Sequence, residues 1–433
     1  MRFSIPLVPS RVTMGIMTDS GTAPQTQTTQ SADTPAVPLH TQAPQAQQLP
    51  QYDLFTRVMG VGSRVLTSLP APLLKLAGGR KNKDGNILDA DVAATLRALS
   101  LIHGKQYWDV SIAEARQMID DEAFMGGGKP PTVGSVTEHY VRGVKVRHYR
   151  PSGAESPERA LPTVVYFHGG GWTLGSLDSH DSTCRWLCNR AEVAVISVDY
   201  RLAPEHPFPA GFDDAHAVTD AALTDGEIAG VDAQRVAVAG DSAGGNLATA
   251  VCLRRRHEKK PQPALQVLIV PVTSLAKPRT QSYHEFSQGL FLTADQMDWY
   301  EKQYVQRADD VHSPYVSPLM ADDVSGLAPA YIAVAGFDPL RDEGELYAKK
   351  LGEQGVAVTL RRHAGLVHPF ANSTGIWANA RRAMDEVVGA VRLALRVWQP
   401  WRTGPETEPC RVQRSETRRV QRYGKVPVNL GAS

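Results

Sequence analysis

The chain has 433 residues, of which 42% are hydrophobic and 21% charged, with a formal net charge of +1. That balance describes an ordinary folded protein, long enough for one large catalytic domain plus extensions. It gives no bulk electrostatic case for nucleic acid as partner, and four cysteines in this length are no disulfide scaffold.

The chain begins Met1-Arg2-Phe3, and Pro6, Pro9 and Arg11 break any signal-like apolar run. No stretch approaches the roughly 20 apolar residues of a membrane span. The expectation is a cytoplasmic protein without an integral membrane segment. Residues 1–51, rich in Gln, Thr, Ala and Pro and with almost no large apolar side chains from position 18 onward, read as a disordered extension.

From Tyr52 the pattern turns helical. Leu54, Val58, Val61 and Val65 form one apolar stripe, and Leu88, Val92, Leu96 and Leu99 a second. Ser111 followed by Glu114 has the spacing of a capping box and starts a third helix. Residues 52–125 are therefore predicted to form a helical cap, its apolar faces packed on the body. Gly126-Gly127-Gly128 then interrupts the chain.

Beyond it, short apolar runs alternate with helical segments. They are Lys145–Tyr149, Thr163–Phe167, Ala194–Val198, Arg235–Ala239, Leu265–Val270, Ala330–Ala335 and Val356–Leu360. Strands apolar on both faces, separated by helices, predict an α/β fold with a mostly parallel sheet covered on both sides. This catalytic domain is placed at 126–399. Cys184 and Cys188 stand four apart without other metal-type ligands and read as free thiols. The remainder, 400–433, holds seven Lys/Arg and three Asp/Glu and reads as a basic, disordered tail.

The chemistry concentrates after three of these strands. Gly240-Asp241-Ser242-Ala243-Gly244 links the strand Arg235–Ala239 to a helix, which is the setting of a nucleophile elbow with Ser242 at its tip. His168-Gly169-Gly170-Gly171-Trp172 follows the strand Thr163–Phe167. Acyl transfer needs N–H donors for the tetrahedral oxyanion. Gly170, Gly171 and Ala243 are assigned to supply them, with His168 as an anchor of the loop.

A serine hydroxyl needs a base, and chain order in such sites runs Ser, acid, His. Asp338 follows the strand Ala330–Ala335, and His368 lies in the loop after Val356–Leu360. His363, nearer that strand's end, is the weaker candidate. Asp342 and Glu343 are alternative acids, but one turn into a helix they read as dipole or surface charges. Trp172, Phe291, Trp299 and Tyr300 are candidates for the wall of an acyl pocket, with core packing as the competing reading of each.

These segments resemble the hormone-sensitive-lipase-like branch of bacterial esterases, in its GDSAG subgroup. The resemblance runs from about Val133 to Leu395 and also covers Asp199-Tyr200-Arg201-Leu202-Ala203-Pro204-Glu205, Ser317-Pro318-Leu319 and Asp338-Pro339-Leu340. It implies an α/β-hydrolase fold and a Ser242–Asp338–His368 triad. It further implies hydrolysis of short- to medium-chain esters without metal or cofactor, acting on a small-molecule ester, with a homodimer left open. A deacetylase, amidase or acyltransferase would use the same triad, and an inactive ligand-binding relative would keep the same fold. One position departs: the family has Gly after the catalytic His, where this chain has Pro369.

Overall fold

The computed structural model describes residues 52–101 and 104–396. The extension expected at 1–51 and the tail expected at 400–433 lie outside the described residues, as does Cys410.

Eight strands form one sheet: β1 Ser135–Val141, β2 Val144–Arg150, β3 Leu161–Phe167, β4 Ala194–Val198, β5 Val231–Asp241, β6 Leu265–Ile269, β7 Ala330–Phe337 and β8 Val358–Val367. Their spatial order is β1-β2-β4-β3-β5-β6-β7-β8. The first two strands pair antiparallel with each other, and β2 pairs antiparallel with β4. All later pairings are parallel. Every residue of β3, β4, β6 and β7 is buried, which is why these strands read as continuous apolar runs.

Alternate residues of each strand point to opposite faces, and the core is split accordingly. Val165, Phe167, Val236, Val238, Ile332 and Val334 face one apolar layer, under the helices Ala210–Ala222, Ala243–His257 and Arg341–Glu353. Val164, Tyr166, Ala237, Ala239, Ala333 and Ala335 face the other, under Asp181–Ala191 and Ala378–Ala394. Cys184 and Cys188 are buried free thiols in the helix Asp181–Ala191.

Two edge strands differ from expectation. The first strand, Ser-Val-Thr-Glu-His-Tyr-Val, carries no continuous apolar run, because an edge strand with solvent on one side needs few apolar residues. At the other edge β8 continues seven residues past Leu360 and pairs with β7 as far as Phe337↔Val367. Its Arg361 and Arg362 are exposed and form ion pairs with Glu386 and Glu345, so the stretch lacks a strand's apolar signature. His363 is therefore a strand residue opposite Ala335, edge-on to Phe370, and His368 comes immediately after the strand.

The N-terminal helices are Leu54–Thr67, Ala71–Leu74, Ala90–Leu99 and Ile112–Gly127. The last begins as the capping box requires: Ser111 Oγ accepts from Glu114 N at 3.3 Å, and Glu114 Oε2 accepts from Ser111 N at 3.0 Å. It runs two residues past the expected boundary and ends at Gly128, whose φ of 69° suits glycine. Of the second stripe, Leu88 and Val92 are buried, Leu96 is half-buried and Leu99, at the end of its helix, is exposed. The stripe Leu54–Val65 is not: all four of its residues are exposed, and the face turned to the body carries Thr56 and Gly60 instead.

Candidate active site

Ser242 sits between β5 and the helix Ala243–His257 with φ 55° and ψ −118°, a strained conformation for a residue with a side chain. The backbone around it fixes that geometry. Ser242 N donates to Ile269 O at 2.9 Å, and Ser242 O accepts from Asn246 N and Val272 N at 3.1 and 3.2 Å. The flanking glycines are required by contact: a Cβ on Gly244 would fall 1.9 Å from Phe167 O, and one on Gly240 would fall 2.3 Å from Gly244 C. The turn thus closes against the neighbouring strand end, at the N-terminus of a helix whose free N–H groups favour negative charge.

Asp338 follows β7 directly and is fully buried. Its Oδ1 accepts from Leu340 N at 2.9 Å, and its Oδ2 lies 2.9 Å from His368 Nδ1. The carboxylate is locked by the backbone on one side and presents its other oxygen to the imidazole. His368 opens a short 3-10 turn, His368–Asn372, with Pro369 in its first turn. N–H groups in a first helical turn have no partner within the helix, so proline there removes nothing the turn uses. Pro369 O instead accepts from Ser373 Oγ at 2.8 Å. The substitution at 369 is thereby compatible with the Asp338–His368 contact.

The glycine loop lies beside the elbow. Gly170 O accepts from Leu174 N at 2.8 Å, folding the loop back on itself. Among the described residues, nothing accepts a hydrogen bond from the N–H of Gly170, Gly171 or Ala243. His168 is buried, with Nδ1 2.8 Å from Gly169 O and its ring stacked 4.3 Å from Tyr200. Burial pushes its imidazole down to about 3, with the neighbouring His180 adding to the effect. A neutral, stacked ring fits the anchoring role expected for it.

A second network was not legible in sequence. Asp241 Oδ1 accepts from Tyr166 OH at 2.7 Å and from Gly169 N at 3.2 Å. His180 Nε2 stands 3.2 Å from Asp241 Oδ2, and Asn372 Nδ2 2.9 Å from the same nitrogen. Burial favours a protonated Asp241, but the His180 charge, the His180 hydrogen bond and the Tyr166 hydroxyl outweigh it and hold the carboxyl below its ordinary value. One buried carboxylate and one imidazole thus join the elbow, the glycine loop and the segment after His368. Asp241 stood inside the recognised motif, yet no spacing rule connects it to His180 or Asn372.

Glu343 is also corrected. It is a buried residue, not a surface charge: its Oε1 accepts from Thr273 N at 2.7 Å and from Ser274 N at 3.1 Å. It thereby holds the loop that begins beside Val272, the residue bonded to Ser242 O. Asp342 accepts from Ser282 N at 2.7 Å through Oδ2 and pairs with Arg341 at 2.8 Å through Oδ1.

Of the four aromatic candidates, Tyr300 comes to the site: a Cβ on Gly171 would fall 2.2 Å from its ring. Trp299 is half-buried next to it, ring centroids 5.3 Å apart. Trp172 is 1% exposed and stacks 4.3 Å from Tyr304 at 3°, which makes it packing beneath the loop. Phe291 meets Trp377 edge-on at 5.4 Å in the apolar layer on the other side of the sheet, away from Tyr300. Phe291 and Tyr300 both lie between β6 and β7 in sequence, but they pack in opposite apolar layers.

The N-terminal segment is fastened to the glycine loop and to the ends of β7 and β8. Arg116 Nε donates to Thr173 O at 3.0 Å, Asn82 Nδ2 to Gly336 O at 3.0 Å, and Asp89 N to Gly365 O at 3.0 Å. Among the described residues, no group of three or more His, Cys, Asp or Glu is placed to hold a metal ion. No helix there is long and apolar enough to cross a membrane.

The comparisons agree with this architecture. A family model described as alpha/beta hydrolase fold matches residues 164–372. The carboxylic ester hydrolase LipN of Mycobacterium tuberculosis is 42% identical over 358 residues, 78% of this chain and 92% of that protein. An ethyl acetate hydrolase of Pseudomonas putida is 38% identical over 64% of this chain and 89% of its own. Among solved structures, the hyperthermophilic esterase from the archaeon Pyrobaculum calidifontis is similar with a TM-score of 0.65, at 38% identity, over 70% of this chain and 97% of that one. On its fold and on a relative matched across nearly its whole length, the chain belongs to the hormone-sensitive-lipase-like family of carboxylic ester hydrolases with the α/β-hydrolase fold.

Proposed function

We propose that the chain hydrolyses short- to medium-chain carboxylic esters through an acyl-enzyme on Ser242. The carrying observation is the 2.9 Å contact between His368 Nδ1 and buried Asp338 Oδ2, on loops at the same sheet edge as the elbow. With Nδ1 committed to the carboxylate, Nε2 is the nitrogen left to act as base. Ser242 Oγ bonds to the ester carbonyl carbon as His368 takes its proton. The oxyanion is held by the N–H groups of Gly170, Gly171 and Ala243. Collapse breaks the bond to the alkoxide, which leaves with the proton from His368. Water, deprotonated by the same imidazole, then attacks the acyl carbon; the bond from that carbon to Ser242 Oγ breaks, His368 returns the proton to Oγ, and the acid leaves.

Residues 52–127 act as a cap over the site in this reading, supported by their bonds to Thr173, Gly336 and Gly365. Tyr300, packed on Gly171, borders the space for the acyl group. The relative named an ethyl acetate hydrolase supports a small acyl group as substrate. The buried free thiols Cys184, Cys188 and Cys252 support a reducing compartment, hence the cytoplasm. The test is Ser242→Ala, assayed on p-nitrophenyl esters of increasing acyl length. Turnover should vanish for every ester the native chain cleaves, and retention of most of it would refute the assignment.

A further inference from the structure

The helix Ile112–Gly127 runs from the glycine loop to the turn that His368 opens. Near its start, Arg116 Nε donates to Thr173 O at 3.0 Å. At its end, Gly126 O accepts from Gly375 N at 2.9 Å, and a Cβ on Gly126 would fall 2.8 Å from Asn372 O, in the turn His368–Asn372. At 100° per residue, Ala115, Ile119, Glu122 and Gly126 lie within an arc of about 60°. Gly126 meets the His368 turn, while Ala115 and Ile119 pack in the apolar layer that holds Trp172 and Tyr300. Glu122 is the charged member of this inward face, between the two points of attachment.

Glu122 Oε2 accepts from Tyr107 OH at 2.7 Å. The short turn Tyr107–Asp109 packs on the helix of Glu122 and also on the helix Ala294–Tyr304, which carries Tyr300. The Glu122 charge acts on the phenols of both Tyr107 and Tyr300, and the Tyr300 ring lies against Gly171 of the glycine loop. Solvent reaches the Glu122 side chain. Even so, desolvation by the atoms around it lifts its carboxyl above the ordinary value, against the pull of the Tyr107 hydroxyl. A group that is both accessible and desolvated lines a recess, not an outer surface. Among the described residues no cation pairs with it: the groups that act on its charge are the Tyr107 hydroxyl and the Asp121 carboxylate, and its Oε1 has no hydrogen bond.

Accepting from one phenol requires no charge, and a glutamine would serve. An unpaired carboxylate in a desolvated recess is costly, and such a residue beside a site marks a place where a ligand supplies the missing partner. We propose that Glu122 is a specificity-determining residue that receives a cationic group, an ammonium carried on the acyl part of the ester. The proposal rests on the reading of the site as a serine esterase with Tyr300 beside the acyl group. An ammonium at this place meets the free oxygen of Glu122 and the aromatic side chains of Tyr107 and Tyr300, and aromatic rings also favour a cation. The reaction at Ser242 is unaltered; the charge adds binding at a part of the substrate remote from the scissile bond.

The experiment compares two p-nitrophenyl esters, a butanoate ending in a trimethylammonium group and its neutral isostere ending in a tert-butyl group, with p-nitrophenyl acetate as reference. Each kcat/KM is divided by the rate of hydroxide hydrolysis of the same ester, which removes the difference in intrinsic reactivity. The native chain should favour the cationic ester by roughly tenfold. Glu122→Gln keeps the side-chain volume and the Tyr107 bond and removes the charge, so its ratio should fall to about one. A merely structural role for Glu122 would alter both esters alike and leave the ratio where it was. Persistence of the preference in Glu122→Gln therefore overturns the proposal. A native chain that cleaves the acetate but does not prefer the cation overturns it without recourse to any variant, and leaves the esterase reading standing. A native chain that cleaves none of the three esters removes both.

Discussion

The imidazole of His180 lies against the carboxylate of Asp241, its Nε2 3.1 Å from Oδ1 and 3.2 Å from Oδ2, although the two residues are 61 positions apart. Asp241 precedes Ser242, and the same carboxylate binds the N–H of Gly169. The elbow and the glycine loop are thus set relative to each other by one buried group. Asp241→Asn keeps the size and removes the charge, so the loop should shift while the fold holds. The expected result is a fall in kcat of about 100-fold, the scale of an ångström-level misplacement, with KM changed much less. Steady-state kinetics on a short-chain ester decide this, and an unaltered kcat would show that the network does not position the site.

Asp338→Asn tests the acid directly. An amide can occupy the same volume and still accept from Leu340 N, but it no longer stabilises a charged imidazole. In a serine triad this substitution lowers kcat by about four orders of magnitude. The variant should fold with little change in Tm, and labelling of Ser242 by a fluorophosphonate should slow in parallel with turnover. A loss of less than tenfold would point to another acid, with Asp342 then the residue to examine.

Gly171 has φ 59° and lies against the Tyr300 ring. Gly171→Ala should displace the ring or the loop, misalign an oxyanion donor and lower kcat by roughly 100- to 1,000-fold. Tyr300→Ala in the same chain makes room for the new methyl group, so the double variant should regain part of the loss. Kinetics of the two single variants and the double form a cycle. Simple additivity would show that Tyr300 does not confine the loop.

Burial pushes the Glu343 carboxyl up to about 7 from the 4.5 of a free side chain, against the opposing pull of the Thr273 and Ser274 N–H groups. Between those values the folded protein keeps a proton that the unfolded chain has released. Glu343 therefore favours folding less and less as pH rises from about 4.5 to 7, with no further change above that. Glu343→Gln still accepts both N–H groups and has no charge to bury. Its Tm, measured from pH 5 to 8, should decline less with pH than that of the native chain. Parallel declines would mean that Glu343 does not titrate in this window.

The elements whose function is written in adjacent residues are legible in the sequence itself. A strand buried on both faces must be apolar throughout, so β3, β4, β6 and β7 stand out. The capping box at Ser111 and the glycines around Ser242 announce themselves because their partners lie within a few residues. Edge strands do not: β1 and the latter half of β8 are half-solvated, and Arg361 and Arg362 are stable there through ion pairs with partners on other elements.

The same division runs through the site. Strand ends and chain order point to Ser242, Asp338 and His368 but leave His363, Asp342 and Glu343 as alternatives, and the family resemblance selects among them; the contact between Asp338 and His368 joins the ends of adjacent strands β7 and β8. By contrast, the burial of Glu343, the separation of Phe291 from Tyr300, the outward turn of Val58 and Val65, and the meeting of Asp241 with His180 were decided by tertiary structure. Sequence periodicity states that a helix has an apolar face but not which way it points. Which face turns inward, and which distant side chains share a buried charge, depends on how whole elements pack, because burial and pairing energies belong to neighbours in space and not to neighbours in the chain.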